Sequence, residues 1–333
     1  MFPEWMIKAP CFQGDSNSPL LALSESEGPN KQDLMIATLL AATDSQIPIR
    51  IRYYDNGRSA EKAVEVANQV VQDKCDAIIG HYSSVVALAA SEVYEAEKLL
   101  FLAPGSSHPS LCEKKNYTLR FFGSDLDQLG CLAEAWKPLK SVLIIGQHNN
   151  YGERLATDLN RLLVSQGAGV KLKYLDIDSP SNQDIENNIK QSDCIYLLGC
   201  QYFSLQLLET YPFNKGSKII LSDDAKGPEL NGVGYDNIFV AYPKILSDCL
   251  LEWPADVLCK RAAIISGRNP GPYFYTSYLA ARVLTQAWHS TYDWSSSSVV
   301  DILRKKSWHT PYGDLALSNH GELEGMEWTL YGK

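Results

Sequence analysis

Apolar residues along this chain follow two patterns that take turns. One is a short run in which apolar residues are continuous or occupy every second position, and the other is a longer stretch in which they form a single stripe. Residues 49–53 read IRIRY and alternate as a strand does. Residues 59–74 follow, with Ser59 as a candidate N-cap and apolar positions at the spacing of one helical face. That stripe consists of Ala63, Val64, Ala67, Val70 and Val71. The pattern therefore predicts a strand followed by an amphipathic helix.

The same pair of patterns recurs along most of the chain. The predicted strands are 49–53, 77–80, 99–103, 141–146, 170–175, 194–199, 218–222 and 237–242, and the helices between them are 59–74, 84–97, 151–166, 183–191 and 202–210. Strands that alternate with helices of this length predict parallel sheets covered on both faces. Because the series is interrupted near residues 121–125, we expect an α/β fold with two doubly wound lobes.

Three helical patterns without intervening strands follow the last predicted strand of the second series. They span residues 248–266, 272–289 and 297–305. Helices in succession do not extend a parallel sheet, so we expect them to return and cover the first lobe. The chain would then cross between the lobes more than once.

Composition and charge limit the function classes that fit this chain. The 333 residues suit two lobes better than one core, and the formal net charge of -9 argues against nucleic-acid binding. The longest uncharged apolar run, near residues 34–43, is about half of what a membrane span needs. The N-terminal sequence lacks the pattern of a signal peptide, which predicts either a cytosolic protein or the mature part of an exported one.

Eight cysteines permit disulfides without indicating a pairing. They are Cys11, Cys75, Cys112, Cys131, Cys194, Cys200, Cys249 and Cys259. No CxxC pair occurs, which argues against a zinc knuckle or a thioredoxin-like site. Cys194 lies in an apolar strand pattern and is predicted to be a small buried hydrophobe. We predict neither a metal nor a cofactor.

Two serine-rich turns follow neighbouring predicted strands and indicate a binding site. They are residues 78–84, IIGHYSS, and residues 102–111, LAPGSSHPSL. Ligands of open parallel sheets bind beyond the carboxyl ends of the strands, where backbone N–H groups, hydroxyls and helix dipoles favour an anion. The alternative is that Ser83 or Ser84 only caps the helix that follows.

Signatures of catalysis are missing from the sequence. No GxGxxG follows a predicted strand, and no GxxxxGK[ST], GxSxG or HExxH occurs. His81 and His108 lie in the two serine-rich turns, where a Ser–His pairing is conceivable, but we predict that each packs or hydrogen-bonds locally. The chain is therefore predicted not to be an enzyme, with an α/β hydrolase or transferase as a remote alternative.

Five segments, in order along residues 50–330, together carry a family pattern. They are YYDNGRSAEKAVEVANQVV at 53–71, the stretch from AIIGHYSS to PGSSHPSL at 77–111, LRFFGSDLDQ at 119–128, SVLIIGQHNNYGERLATDL at 141–159 and NPGPYFYTSYLAARVLTQA at 269–287. In these segments the chain resembles the type I periplasmic binding proteins, especially the leucine/isoleucine/valine-binding proteins of ABC importers. The resemblance implies an extracytoplasmic, periplasmic or extracellular receptor that closes around a small polar ligand, with an amino acid as the expected ligand. It implies a membrane permease as partner.

The resemblance also implies how the lobes are assembled. Members of this family cross three times between lobes, so we expect hinges near residues 121–124, 244–248 and 314–320. The expected lobe 1 consists of residues 20–122 and 247–316, the expected lobe 2 of residues 123–246 and 317–333, and residues 1–19 form an unassigned leader.

Four of the ligand-binding positions implied by the resemblance lie in the first lobe. Ser84 and Ser107, with the backbone of Gly105, match positions that hold the α-carboxylate of the ligand and part of its ammonium group. Tyr82 is expected either to line the pocket for the ligand side chain or to belong to the core. These expectations coincide with the two serine-rich turns that the residues themselves indicate.

The other implied positions lie in the second lobe. Tyr151 matches an aromatic residue that closes over the ligand, with an exposed helix-start aromatic as the alternative. Asp223 or Asp224 falls where the family places an acid against the ammonium, although the pair could equally be an N-cap. Tyr202 lies near a further aromatic position of the family, which residues 200–201 could occupy instead.

The N-terminal part departs from the family pattern. The stretch 20–56 is shorter than its counterpart and has Gly28 and Pro29, but neither an aromatic–Gly pair nor a Gly–Gly segment. One wall of the pocket is therefore expected to differ, and the ligand need not be a branched-chain amino acid. The ligand-sensing domain of a signalling receptor remains the alternative to a transport receptor.

Overall fold

The computed structural model describes residues 17–137, 139–179, 181–245, 254–291 and 293–333. The helices are α1 Pro29–Ser45, α2 Ala60–Gln72, α3 Ser84–Ala96, α4 Asp125–Glu134, α5 Asn150–Ser165, α6 Gln183–Lys190, α7 Gln201–Thr210, α8 Ala255–Ser266, α9 Phe274–His289 and α10 Ser296–Lys305. The strands are β1 Leu20–Ser24, β2 Arg50–Tyr54, β3 Ala77–Gly80, β4 Leu100–Ala103, β5 Thr118–Arg120, β6 Ser141–Gln147, β7 Gly169–Leu175, β8 Cys194–Leu198, β9 Lys218–Leu221, β10 Ile238–Pro243, β11 Ser307–Thr310, β12 Gly313–Leu317, β13 Leu323–Glu324 and β14 Trp328–Gly332. Alternation of strands and helices confirms the predicted α/β class.

The chain divides into two compact units. Unit 1 contains the described residues up to Ser124 and those from Ile245 to Met326, and unit 2 contains Asp125–Lys244 and Glu327–Lys333. The chain thus passes three times from one unit to the other. The first two passages lie within two residues of the predicted boundaries after residues 122 and 246, whereas the third lies ten residues beyond residue 316.

Unit 1 is built on a parallel sheet of five strands in the order β2-β1-β3-β4-β5. Its central strands β1, β3 and β4 are buried along their whole length, because helices cover both faces of the sheet. The sequence pattern did not single out β1 and α1 as elements. The helix α1 begins at Pro29, where the missing N–H costs nothing, directly after Gly28.

Helices α8, α9 and α10 belong to unit 1, as the succession of helical patterns predicted. Helix α9 is buried over most of its length and packs along α1. The start of the predicted helix 248–266 lies outside the described residues.

The third passage lies later than predicted because unit 1 also contains a small antiparallel sheet, β11-β12-β13. Residues 318–322 connect β12 to β13, and the amide of Ser318 donates to the carbonyl of Glu322 at 2.8 Å. The expected hinge at 314–320 therefore coincides with a hydrogen-bonded part of unit 1. Only a short segment after β13, where β14 begins, enters unit 2.

Unit 2 is built on a sheet of six strands in the order β14-β10-β9-β8-β6-β7. All pairs are parallel except β14, which runs antiparallel to β10 at the edge. Cys194, at the start of β8, is fully buried, which confirms its predicted role as a core residue. The six cysteines in the described ranges are all free, and Cys11 and Cys249 lie outside those ranges.

Among the described residues, none of the helices has the length and apolar character that crossing a membrane requires.

Candidate functional site

In unit 1, the two serine-rich turns lie side by side because β3 and β4 are neighbours in a parallel sheet. The hydroxyl of Ser106 donates to that of Ser84 at 3.2 Å and joins the turns. Ser83 is the N-cap of α3, but its side chain makes no capping hydrogen bond. The capping alternative for these serines therefore has no support from side-chain geometry, and the hydroxyls lie beside a helix N-terminus that favours anions.

Ser107 and Gly105 lie close together in the second turn, against an aromatic ring. Ser107 is buried, and in the described part of the chain its hydroxyl takes part in no hydrogen bond. A Cβ atom on Gly105 would lie 2.9 Å from Cδ1 of Tyr82, so the absence of a side chain allows this close approach. The structure thus brings together three of the expected unit 1 residues, Gly105, Ser107 and Tyr82, beside Ser84.

Tyr82 belongs both to this turn cluster and to the core. Its hydroxyl is 2.7 Å from that of Ser277, and its ring lies 4.9 Å from the ring of Tyr273. The ring of Phe122 meets Tyr273 edge-on at 5.5 Å. Tyr82 is 6% exposed, so its hydroxyl has a protein partner and its ring contributes an aromatic surface beside Gly105.

Glu25, which sequence reasoning missed, lies under the first turn. This carboxylate follows β1 and is buried, and its Oε2 accepts a hydrogen bond from the amide of Tyr82 at 2.9 Å. Its Oε1 accepts from the hydroxyl of Ser26 at 3.1 Å. An acidic residue directly after an apolar run was the signal in the sequence, but the contact with Tyr82 spans 57 residues and required the fold.

Arg120 is a second residue of unit 1 that the sequence did not single out as functional. Its guanidinium is fully buried and donates to both carboxylate oxygens of Glu322, at 2.7 and 3.1 Å. It also donates to the carbonyls of Ser106, His108 and Pro109 at 3.2, 2.8 and 3.4 Å. One side chain thus holds most of the turn that carries Ser107.

The histidines of both turns have local roles, as predicted. The ring of His81 is fully buried between Asn56, at 3.1 Å from Nδ1, and the hydroxyl of Tyr94, at 3.0 Å from Nε2. Burial lowers the pKa of His81 to about 3, so its ring is neutral at physiological pH. Nδ1 of His108 accepts a hydrogen bond from the amide of Ser110 at 3.2 Å.

In unit 2, the buried carboxylate of Asp223 accepts hydrogen bonds from side chains at the starts of two helices. Asp223 follows β9, and its Oδ1 accepts from the hydroxyl of Tyr151 at 2.5 Å and from Nε2 of Gln128 at 2.7 Å. Tyr151 lies in the first turn of α5, and Gln128 lies in the first turn of α4. Among the described residues no hydrogen bond reaches Oδ2 of Asp223, so this oxygen retains its capacity for a ligand.

Burial controls the charge of this cluster. Desolvation raises the pKa of Asp223 to about 7, and the negative charges of Asp125 and Asp224 act in the same direction. Burial also raises the pKa of Tyr151 well above its usual value. The side chain of Asp125 is fully buried and forms an ion pair with Arg154. Asp223 is therefore partly ionised at neutral pH, and a cation bound beside it would stabilise the charged form.

The remaining candidates of unit 2 lie at the start of α7. Oδ2 of Asp224 accepts a hydrogen bond from the amide of Gln201 at 3.1 Å, at the start of α7. Neither Asp223 nor Asp224 is an N-cap residue, because Ser222 is the N-cap of the short helix that contains them. Tyr202 is 61% exposed and takes no part in the Asp223 cluster. The amide of Cys200 donates to Oε1 of Gln147 at 2.9 Å.

Gln128 is the functional residue of unit 2 that sequence reasoning missed. It ends the segment LRFFGSDLDQ, but nothing in that segment indicates that it reaches a carboxylate 95 residues away. Its Oε1 is buried without a hydrogen-bond partner among the described residues. Within those residues no group of three or more His, Cys, Asp or Glu side chains is arranged to hold a metal ion.

Comparison with known proteins identifies relatives of this chain by sequence and by fold. A leucine-, isoleucine-, valine-, threonine- and alanine-binding protein of Pseudomonas aeruginosa is 24% identical over 296 residues, which cover 84% of this chain and 77% of the relative. The structure of leucine binding protein LivK from Thermotoga maritima superimposes with a TM-score of 0.79 at 16% identity, covering 95% of this chain and 97% of that chain. A solute binding protein of an ABC transporter from R. palustris, in complex with benzoate, gives a TM-score of 0.80 at 14% identity, with 95% and 96% covered.

Family membership follows from the sequence match to a whole family rather than from these single relatives. The sequence profile of the periplasmic binding proteins matches residues 34–212, more than half of the chain. This range includes both serine-rich turns of unit 1 and the Tyr151 helix of unit 2. On the evidence of its fold and of this match, the chain belongs to the periplasmic binding protein family.

Proposed function

We propose that this chain is a receptor that binds a free amino acid for ABC-type import. The family consists of solute-binding proteins without catalytic activity. The observation that carries the proposal is Asp223, a buried carboxylate whose Oδ1 has two donors and whose Oδ2 has none among the described residues. A buried carboxylate with a free oxygen is stabilised by a cationic partner, and the ammonium group of an amino acid supplies one.

The α-carboxylate of the ligand is assigned to unit 1. Hydroxyls of Ser84 and Ser107, the turn at Gly105 and the N-terminus of α3 offer donors and a favourable dipole to a carboxylate. The assignment agrees with the positions that the family resemblance implies. Tyr82 and Tyr273 would then contact the ligand beside its carboxylate.

An aromatic carboxylate is the second candidate ligand. The rings of Tyr82, Tyr273 and Phe122 form an aromatic cluster beside Gly105, which suits a planar ligand. The structurally similar protein from R. palustris was solved in complex with benzoate. A benzoate-like ligand has no ammonium group, so it would leave Asp223 without a cationic partner.

The dependence of ligand affinity on pH distinguishes an amino acid from an aromatic carboxylate as the ligand. Because the pKa of Asp223 is raised to about 7, the fraction that carries a negative charge grows between pH 5 and pH 8. Affinity for an amino acid is expected to rise by up to about tenfold per pH unit below pH 7, because the ammonium pairs with the charged form. Affinity for benzoate is expected to stay constant or fall over the same range. Isothermal titration at several pH values across this range measures both.

The ligand itself is identified by a thermal-shift screen of the purified chain. The probes are the twenty amino acids, small amides and benzoates, because a ligand that binds only the native state raises the melting temperature with concentration. A shift with one class of amino acids supports the proposal. Absence of a shift with every amino acid, on protein freed of carried-over ligand, contradicts it.

Replacement of Ser107 by alanine tests the carboxylate assignment. We expect Ser107→Ala to weaken amino-acid binding by about 1–3 kcal/mol, because a buried charged group of the ligand loses a donor. Ser110→Ala, an exposed change in the same turn, is the control and should leave the affinity unchanged. An equal effect of the two substitutions on affinity would contradict the assignment of Ser107 to the binding site.

A membrane permease is the proposed partner, as expected for a receptor that delivers a solute to an ABC importer. The proposed location is the periplasm or the extracellular side of the membrane. Co-purification of the liganded chain with an ABC permease from membranes of the source cells would test the partnership. A signalling partner instead of a permease would favour the sensing alternative.

A further inference from the structure

We propose that Arg120 and Glu322 are a pair of positioning residues that hold the turn Ser106–Pro109 in the conformation that binds a carboxylate. The inference rests on the proposed function, because it concerns the same turn. The two residues are 202 positions apart in the chain, and both belong to unit 1. Neither is expected to touch the ligand.

The guanidinium of Arg120 directs its hydrogen bonds to the turn and to Glu322. Its side chain is fully buried, and it makes the five hydrogen bonds described above, three of them to backbone carbonyls. The planar fork of an arginine fixes the direction of each bond. The carbonyls of Ser106, His108 and Pro109 are therefore directed towards one point.

Holding these carbonyls also directs the amides that could bind a ligand. In a trans peptide the N–H points opposite to the preceding carbonyl, so a carbonyl of Ser106 held by Arg120 turns the N–H of Ser107 away from the guanidinium. Among the described residues this N–H has no backbone acceptor. Its direction, and that of the adjoining Ser107 side chain, thus depends on Arg120.

Glu322 completes the arrangement by neutralising the arginine and fixing its plane. Without Glu322, the buried guanidinium would carry an uncompensated charge and lose two of its five bonds. It would then turn towards other acceptors or water, and the turn would lose its support. The amide of Arg120 donates to the carbonyl of Gly321 at 2.8 Å, which keeps Glu322 adjacent to the arginine.

The substitution Glu322→Ala tests the pair, because the Glu322 side chain is 34% exposed and its removal need not prevent folding. The matched control is Glu324→Ala, which removes the same charge from an exposed position two residues further on. In the protein without ligand, ¹⁵N relaxation of the amides of Ser106 and Ser107 is compared with that of a buried strand residue, Ile144. We expect their order parameters to fall from about 0.85 to below about 0.6 in Glu322→Ala only.

The second measurement uses L-leucine and L-leucinamide, which differ only in the carboxylate. In Glu322→Ala we expect the preference for L-leucine over the amide to fall about tenfold, because the loss is confined to the carboxylate subsite. Arg120→Lys, which keeps the charge without the fork, should lower the preference in the same direction. A merely structural role would weaken both ligands equally.

The outcomes separate this inference from the proposed function. Unchanged order parameters in Glu322→Ala, or an unchanged preference ratio, overturn the positioning role. If the unmodified protein binds neither L-leucine nor any other amino acid, the proposed function fails, while the relaxation measurement still decides whether the pair holds the turn.

Discussion

Replacing Asp223 with asparagine is expected to weaken amino-acid binding about 100-fold at pH 8 and, at the same pH, to stabilise the protein without ligand. The loss of affinity corresponds to about 3 kcal/mol, within the range for removal of one partner of a buried charge pair. Asparagine keeps an oxygen that can accept from Tyr151 and Gln128, so the geometry of the cluster is retained. What disappears is the negative charge opposite the ammonium.

The variant is expected to gain stability although it loses affinity, because the pKa of Asp223 is raised. In the folded protein the pKa is about 7, whereas the unperturbed value is 3.8, so between these values the folded state binds more protons than the unfolded state. The free energy of unfolding therefore falls as the pH rises from about 4 to about 7. The amide of the Asp223→Asn variant cannot ionise, so the variant does not show this loss. It should match the wild type near pH 4 and exceed it at pH 8.

Isothermal titration and urea unfolding at pH 5 and pH 8 measure the two effects on the same preparations. Asp224→Asn is the control, because asparagine can still accept from the amide of Gln201 and Asp224 is not held by Tyr151. A larger loss of affinity in Asp224→Asn than in Asp223→Asn would indicate that Asp224 is the residue that contacts the ammonium. Loss of both affinity and stability in Asp223→Asn at pH 8 would show that the carboxylate is structural.

A second large effect is expected for Gly80→Ala at the end of β3. A Cβ atom there would lie 2.1 Å from the carbonyl oxygen of Ser24, and Gly80 has a φ of 156° that residues with a side chain rarely adopt. Both atoms in conflict belong to paired strands in the centre of the sheet, so neither can move independently. We expect a loss of about 3–5 kcal/mol in the free energy of unfolding.

The control for this prediction is Gly130→Ala, on the exposed face of α4, where a Cβ would meet nothing within 4 Å. Alanine has the higher helix propensity, so this change should stabilise unit 2 by up to about 1 kcal/mol. Differential scanning calorimetry of both variants compares them with the wild type. A melting temperature of Gly80→Ala equal to that of the wild type would contradict the proposed clash.

Periodicity was sufficient to predict most strands and helices, because both faces of each parallel sheet are covered and each helix needs one apolar stripe. Strand β3 begins and ends at the predicted residues, and helix α2 begins one residue after its predicted N-cap, Ser59. The helices α1 and α4 were missed, and so were the strands β1, β5 and β11–β14. These strands have two to five residues each, which carry too little pattern, and pairing with other strands determines them.

For the candidate site, the sequence indicated residue types at strand ends but not their partners. The turns of Ser84 and Ser107 were predicted because the carboxyl ends of neighbouring parallel strands meet at one edge. Asp223 was one of two adjacent acids, and only burial and hydrogen bonds separate its role from that of Asp224, which accepts from the amide of Gln201. Tyr202, suggested by the family resemblance, is exposed because α7 turns it outward.

The sequence by itself determined the α/β class, the two-unit organisation and the positions of the two serine-rich turns, since all of these follow from local periodicity and strand ends. Only the tertiary structure decided which polar groups meet. Glu25 reaches Tyr82, Gln128 reaches Asp223 and Glu322 reaches Arg120 across 57, 95 and 202 residues. The physical reason is that a buried charge requires a partner, and the partner is selected by the packing of strands and helices rather than by proximity in the chain.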